Sequence, residues 1–151
     1  MTTAGSVERT VADDLGDIGP AIRWVTEGLD DAGLSDDLRY ALEVCLEEAL
    51  ANLILHGDCG GSAKDIAVGY LAGDGEATLV VTDRCKPFDL TAVALEAPAP
   101  DRVGGRGIGL MRSFASALAY ASGGGRNTLT MRFGPDQGSS RPSVSAAGSN
   151  S

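Results

Sequence analysis

The sequence contains no apolar run of about 18 residues, the minimum for a membrane-spanning helix. Its first ten residues have neither the basic segment nor the apolar segment of a secretory signal peptide. These two absences predict a cytoplasmic protein with no membrane partner.

Basic residues and cysteines are also scarce. The chain carries 12 Lys and Arg against 21 Asp and Glu, and the resulting net charge of −9 disfavours direct binding of nucleic acid. Such a charge suits a soluble protein whose partners carry basic patches. The cysteines, Cys45, Cys59 and Cys85, are odd in number and lack metal-ligand spacing, which predicts reduced thiols rather than a disulfide framework.

The length of 151 residues is enough for one domain with a single core. Residues 135–151 have almost no apolar content, which is typical of disorder. We therefore predict one folded domain over residues 1–134 and a disordered C-terminal tail over residues 135–151.

Residues 38–57 have the apolar periodicity of an amphipathic helix, and we expect Gly57 to end it as a C′ glycine. Glu48 and Asn52 lie one turn apart at the edge of its apolar stripe, while Glu47 points away from it. A carboxylate and an amide so placed can hold a cation or orient a water. On their own they are more typical of a surface hydrogen-bonded pair.

The pattern around this helix alternates between short strands and one further helix. Pro20 predicts that the first helix either starts near it or is kinked there, and Ser35 is expected to cap the second helix. Asp83 ends an apolar strand, where it either caps the following turn or contacts a ligand. The predicted segments are an edge strand over 6–12, a helix over 13–33, and strands over 65–71, 77–83, 117–121 and 127–133.

A glycine-rich stretch, residues 104–110, leads into a short helical segment. Free backbone N–H groups at such a helix start can approach an anion, but a plain flexible hinge is an equally good interpretation. The stretch follows no βαβ strand and precedes no Lys-Ser/Thr, so it fits neither the dinucleotide fingerprint nor the P-loop. Residues 84–103, which have no strong periodicity, are predicted to form a mobile lid.

Three of these segments, taken in order, resemble the signature boxes of the GHKL ATPase superfamily. Residues 46–57, with Glu48 and Asn52, resemble the N box; residues 81–89 resemble the G1 box; and residues 104–110 resemble the G2 box. Within the superfamily, the chain is most similar to the stand-alone anti-sigma-factor serine kinases, which carry a histidine-kinase-like ATPase domain. The resemblance covers residues 6–134. It implies an α+β Bergerat fold, a two-layer α/β sandwich with a mixed, mostly antiparallel sheet covered on one face by about three helices.

The same resemblance implies ATP and Mg²⁺ as ligands. Asn52 would coordinate Mg²⁺, and Glu48 would be the general base that accepts the proton of an attacking serine hydroxyl. Asp83 would accept a hydrogen bond from the exocyclic amine of adenine, and Thr128 would sit near the adenine. The implied contacts to the phosphates come from the G2 box, namely Gly105, Arg106, Gly107 and Gly109.

The chain departs from the family pattern at one place in the G1 box. The family usually has a glycine two residues after the aspartate, and this chain has Cys85 there. A Cβ and a thiol at that position would narrow the pocket or force a different turn.

The function implied by the resemblance is an anti-sigma-factor-like serine/threonine protein kinase. It would bind a sigma factor or a similar regulator and phosphorylate a STAS-domain anti-anti-sigma protein on serine, as a possible homodimer. The alternative is a catalytically weak or inactive module that regulates a partner-switching pathway by protein interaction. A sensor-linked histidine kinase is disfavoured, because the only histidine, His56, lies inside the N box, where a structural role is favoured.

Overall fold

The computed structural model describes residues 7–89, 111 and 113–134. Over these residues, five strands form one sheet in the order β1-β2-β3-β5-β4, and two α-helices pack on one face of it. The strands are β1 Val7–Val11, β2 Ile66–Gly73, β3 Glu76–Asp83, β4 Ala117–Gly123 and β5 Arg126–Phe133, and the helices are α1 Ile18–Gly28 and α2 Asp36–His56.

The predicted α+β sandwich is confirmed, with two differences. Every strand pairing among the described residues is antiparallel, whereas a mixed sheet was expected. The described residues contain two α-helices rather than about three, together with helical positions at 111, 113 and 114 beside a segment outside the described ranges. Among the described residues, no helix has the length and apolar content that crossing a membrane requires.

Side-chain alternation in the strands decides which residues join the core. In β5, Leu129, Met131 and Phe133 are each at most 5% exposed, while Thr128 and Thr130 lie on the opposite face. Burying a large apolar side chain contributes about 1.5–3 kcal/mol, so this pattern fixes the face that β5 turns toward the helices. The buried residues of α2 that join the same core are Ala41, Leu42, Cys45, Leu46, Ala49 and Leu50.

The start of each helix follows from local residues. Pro20 is the third residue of α1, so the helix begins beside the proline and is not kinked by it, as its missing N–H allows in a first turn. The predicted cap of α2 is confirmed, since Ser35 Oγ accepts a hydrogen bond from Leu38 N at 3.1 Å.

Lys64 holds the C-terminal end of α2. Its Nζ donates to the carbonyl oxygens of Leu53 and Ile54, each at 2.9 Å, and pairs with Asp13 at 2.9 Å. A positive charge is favourable beside the carbonyl end of a helix dipole. The end of α2 that carries Asn52 is therefore fixed to the loop that leads into β2.

Gly57 ends α2, but not for the reason expected. Its backbone is extended, with φ −63° and ψ 133°, so it is not the left-handed C′ glycine that was predicted. A Cβ there would lie 2.5 Å from Leu53 O and 3.3 Å from Cys85 Sγ. Close approach of the chain, rather than a positive φ, requires the glycine.

We expect Gly57→Ala to lower the free energy of unfolding by about 1–3 kcal/mol, because the added methyl overpacks this contact. Urea denaturation measures the change. Gly19→Ala is the matched control, because a methyl added at Gly19 would have nothing within 4 Å and alanine is the better helix former. An equal or higher stability of Gly57→Ala would contradict the close-approach explanation.

Candidate functional site

A cavity of about 320 Å³ opens between the C-terminal half of α2 and the sheet. Leu53 of α2, Val81 of β3 and Leu129 of β5 give it apolar walls. Tyr120 and Phe88 extend one side, joined by a 2.9 Å hydrogen bond from Phe88 N to the Tyr120 hydroxyl. Its size and lining suit a flat organic group placed by a few polar contacts.

Asn52 is the first of those polar groups. It lines the cavity, and its Nδ2 is the only side-chain nitrogen or oxygen of the described residues that is buried without a hydrogen-bond partner. Leaving such a donor unsatisfied costs about 1–3 kcal/mol. A buried amide that bears this cost beside an open cavity indicates a ligand-binding role.

Asp83 is the second polar group, at the end of β3. It is 7% exposed and lines the same cavity as Asn52. Its Oδ1 accepts hydrogen bonds from Cys85 N and from Asn127 Nδ2, both at 2.8 Å. Its Oδ2 has no hydrogen bond among the described residues. Asp83 thus caps the turn, which is one of the two roles that the sequence left open, and it also lines the cavity; its contact with a ligand stays a prediction.

Asn127 is a residue of this site that the sequence reasoning missed. It is 2% exposed and pairs in register with Asp83 across β3 and β5. Its position could have been found from its phase, because it shares the inward face of β5 with Leu129 and Met131.

Thr128 needs a correction. It pairs in register with Thr82, on the face of the sheet turned away from α2, and does not line the cavity. The expectation that Thr128 sits near an adenine therefore does not fit the side-chain alternation of β5. Asn127, one residue earlier, lies on the buried face of β5 and is linked to the cavity by its hydrogen bond to Asp83.

Glu48 lies half-buried on α2, one turn before Asn52, but is not among the residues that line the cavity. Glu47 is exposed, as its helix phase predicted. Burial, followed by the charge of Glu47, raises the pKa of the Glu48 carboxyl. Burial raises the pKa of the Cys45 thiol, and the charge of the Glu48 carboxylate adds to the effect. Together they raise that pKa to about 12.

A disulfide joins Cys59 to Cys85, so the prediction that these two thiols are reduced was wrong. Cys45 is the free and buried cysteine of the described residues. Backbone hydrogen bonds of 2.9 Å, from Arg84 N to Lys64 O and from Lys86 N to Asp58 O, bring the two segments together. These long-range contacts are invisible in cysteine spacing. Cys85, the departure from the usual G1 glycine, thereby becomes a fixed part of the cavity wall.

We expect reduction of this bond to lower the free energy of unfolding by about 3 kcal/mol, because it closes a loop with a sequence separation of 26. Urea denaturation with and without dithiothreitol measures the difference. Cys59→Ser is the control and should unfold at one urea concentration in both conditions. Equal midpoints for the unmodified protein would contradict a stabilising role.

Comparison with known proteins adds to this geometry. The sequence profile of the histidine kinase-like ATPase domain matches residues 11–133. The chain belongs to that family. The resemblance to the GHKL superfamily and its anti-sigma kinases is thereby confirmed, and membership of an ATPase family implies ATP binding.

Two known proteins are similar to this chain, one in sequence and one in fold. It is 33% identical over 99 residues to the serine/threonine-protein kinase BtrW of Bordetella bronchiseptica, covering 62% of this chain and 69% of the relative. The solved structure of the RsbU and RsbW domains of Rv1364c from Mycobacterium tuberculosis matches with a TM-score of 0.59 and 19% identity. That match covers 85% of this chain and 32% of the larger one, and it shows a shared fold.

Several predicted features of this family member lie outside the described residues. They are the G2-box residues Gly105, Arg106, Gly107 and Gly109, most of the lid predicted over residues 84–103, and the tail over residues 135–151. Their assignments stay predictions, as does the division of the chain at residue 134.

Proposed function

We propose that this chain binds Mg²⁺-ATP in the cavity and acts as a serine/threonine protein kinase in a partner-switching pathway. It phosphorylates a STAS-domain anti-anti-sigma protein on serine and binds a sigma factor or a similar regulator. The observation that carries the proposal is that one cavity is lined by Asn52, whose buried amide nitrogen has no hydrogen-bond partner, and by Asp83, whose Oδ2 has no hydrogen bond among the described residues.

The two polar groups that line the cavity suit different parts of the nucleotide. Asp83 Oδ2 is an acceptor for the exocyclic amine of adenine, beside the apolar side chains of Val81 and Leu129. Asn52 would hold Mg²⁺ through its amide oxygen, and its Nδ2 would donate to a phosphate oxygen. An amide oxygen suits Mg²⁺, a hard cation that takes few protein ligands and completes its shell with phosphate oxygens and waters.

The raised pKa of the Glu48 carboxyl suits a general base. When ATP is bound, the nucleotide supplies the phosphoryl group, and Glu48 accepts the proton of the attacking serine hydroxyl. The raised pKa of Glu48 makes its carboxylate a stronger base than an exposed glutamate. The kinase class is supported by BtrW, a relative that is named a serine/threonine-protein kinase.

The net charge of the chain supports the assignment of its partners. A net charge of −9 suits partners that carry basic patches. Size-exclusion chromatography with a candidate sigma factor, in the presence of ATP or ADP, tests whether a complex forms.

The first test is a titration with a fluorescent ATP analogue in the presence of Mg²⁺, followed by incubation with ATP and a candidate STAS-domain protein. Micromolar binding and a new phosphoserine, located by mass spectrometry, support the kinase. Binding without transfer to any serine, or no binding at millimolar nucleotide, would overturn it.

A non-catalytic interaction module is the second candidate, and Cys85 favours it. The side chain of Cys85, tied to Cys59, occupies cavity wall where the family usually has a glycine. If the Cys85 side chain excludes the adenine base of ATP, the protein would retain its protein partner and lose nucleotide binding. Cys85→Gly should then restore binding of the ATP analogue, whereas unchanged affinity would dismiss the effect of the cysteine.

A further inference from the structure

We propose that Asn127 is the positioning residue that fixes the Asp83 carboxylate for adenine and thereby determines selectivity for that base. This inference rests on the proposed function, since it concerns how the same cavity selects its nucleotide. It begins with a buried hydrogen-bond network whose members come from β3, β4 and β5.

Asn127 uses its whole amide in this network. Its Nδ2 donates to Asp83 Oδ1 at 2.8 Å and to Cys85 O at 2.7 Å. Its Oδ1 accepts from Ser122 Oγ at 2.6 Å. An amide nitrogen has two hydrogens, and both are committed here. The orientation of the amide is therefore fixed by its three partners.

The network also fixes the carboxylate. Asp83 Oδ1 accepts from both Asn127 Nδ2 and Cys85 N, so rotating the carboxylate would break two hydrogen bonds at once. Hydrogen bonds to a charged group are stronger than those between neutral groups. Asp83 Oδ2 is left as the oxygen available to a ligand, and it is held in one direction before any ligand arrives.

Such a fixed acceptor selects a base by its exocyclic group. Adenine presents an amine that donates to the carboxylate, whereas hypoxanthine presents an oxygen at the same place. A rigid acceptor cannot turn away from that oxygen, and discrimination is strongest where a buried polar group would be left unpaired. A carboxylate freed from Asn127 could reorient, and the affinities of the cavity for the two bases would become more alike.

The test compares Kd values for ATP and inosine triphosphate, measured with Mg²⁺ by competition against a fluorescent ATP analogue. In Asn127→Ala, ATP affinity should fall about ten- to a hundredfold while inosine triphosphate affinity changes little. The ratio of the two Kd values should therefore collapse toward one. A general structural defect would weaken both nucleotides together and leave the ratio unchanged, which would overturn the inference.

Three further variants, at Ser122, Thr130 and Thr128, keep the test decisive. Ser122→Ala removes only the contact to Asn127 Oδ1 and should reduce the ratio by a smaller factor, which gives a result even if Asn127→Ala does not fold. Thr130→Ala changes the outward face of β5 and should leave the ratio unchanged. If Thr128→Ala, rather than Asn127→Ala, collapses the ratio, the inference is overturned.

The outcomes also separate this inference from the proposed function. A wild-type protein that binds ATP selectively, with full selectivity in Asn127→Ala and in Ser122→Ala, refutes the role of Asn127 alone. A wild-type protein that binds neither nucleotide refutes both.

Discussion

Replacing Asn52 with alanine is expected to weaken Mg²⁺-ATP binding about a hundredfold, because the change removes the proposed metal ligand and the proposed phosphate donor. The affinity is measured by titration with a fluorescent ATP analogue in Mg²⁺. Glu47→Gln, an exposed position on the same helix, is the control and should bind as tightly as the wild type.

The same substitution should have the opposite effect on the stability of the nucleotide-free protein. The Asn52 Nδ2 is buried without a partner, so its removal relieves the cost of an unsatisfied donor. We expect the free energy of unfolding to stay equal or to rise, as measured by urea denaturation. A loss of stability with unchanged ATP affinity would instead identify Asn52 as a structural residue and contradict its ligand role.

Replacing Glu48 with glutamine is expected to slow phosphoryl transfer to serine by about 10²- to 10⁴-fold, the usual contribution of general acid–base catalysis. Nucleotide affinity should stay within about twofold, because Glu48 does not line the cavity. Single-turnover transfer to the STAS-domain protein measures the rate. Transfer at the wild-type rate in Glu48→Gln would show that another group accepts the proton.

The pH dependence gives this prediction a second readout. Burial and the charge of Glu47 raise the pKa of Glu48, and a general base acts in its ionised form. The transfer rate should therefore rise as pH increases through that raised pKa. Glu47→Gln removes the second cause, so its rate profile should shift toward lower pH with the same plateau. An unshifted profile would argue against Glu48 as the group that titrates.

The parts of the site that follow helical phase were predictable from the sequence. Ser35 caps α2, and the spacing of Glu48 and Asn52 sets them one turn apart on that helix. The exposure of Glu47 follows from the same geometry. These features depend on local spacing, which a sequence displays directly.

The features that depend on how distant strands meet could not be predicted in this way. The pairing of Asn127 with Asp83 depends on the register of β5 against β3, which the side-chain alternation within β5 does not give by itself. The bond between Cys59 and Cys85 depends on contacts between two loops that cysteine counting does not reveal. The crowding at Gly57 comes first from the nearby Leu53 O, but part of it comes from Cys85 Sγ, which is distant in the sequence.

The direct pairing of β3 with β5 has an evolutionary consequence. Asp83 and Asn127 are 44 positions apart in sequence, yet the backbone ladder holds them as neighbours. Apart from Cys85 and β4, which contact Asp83 and Asn127, the intervening stretch can change without disturbing that ladder. A lineage of such proteins can thus diversify what it recognises outside the cavity while inheriting an unchanged chemistry for the base.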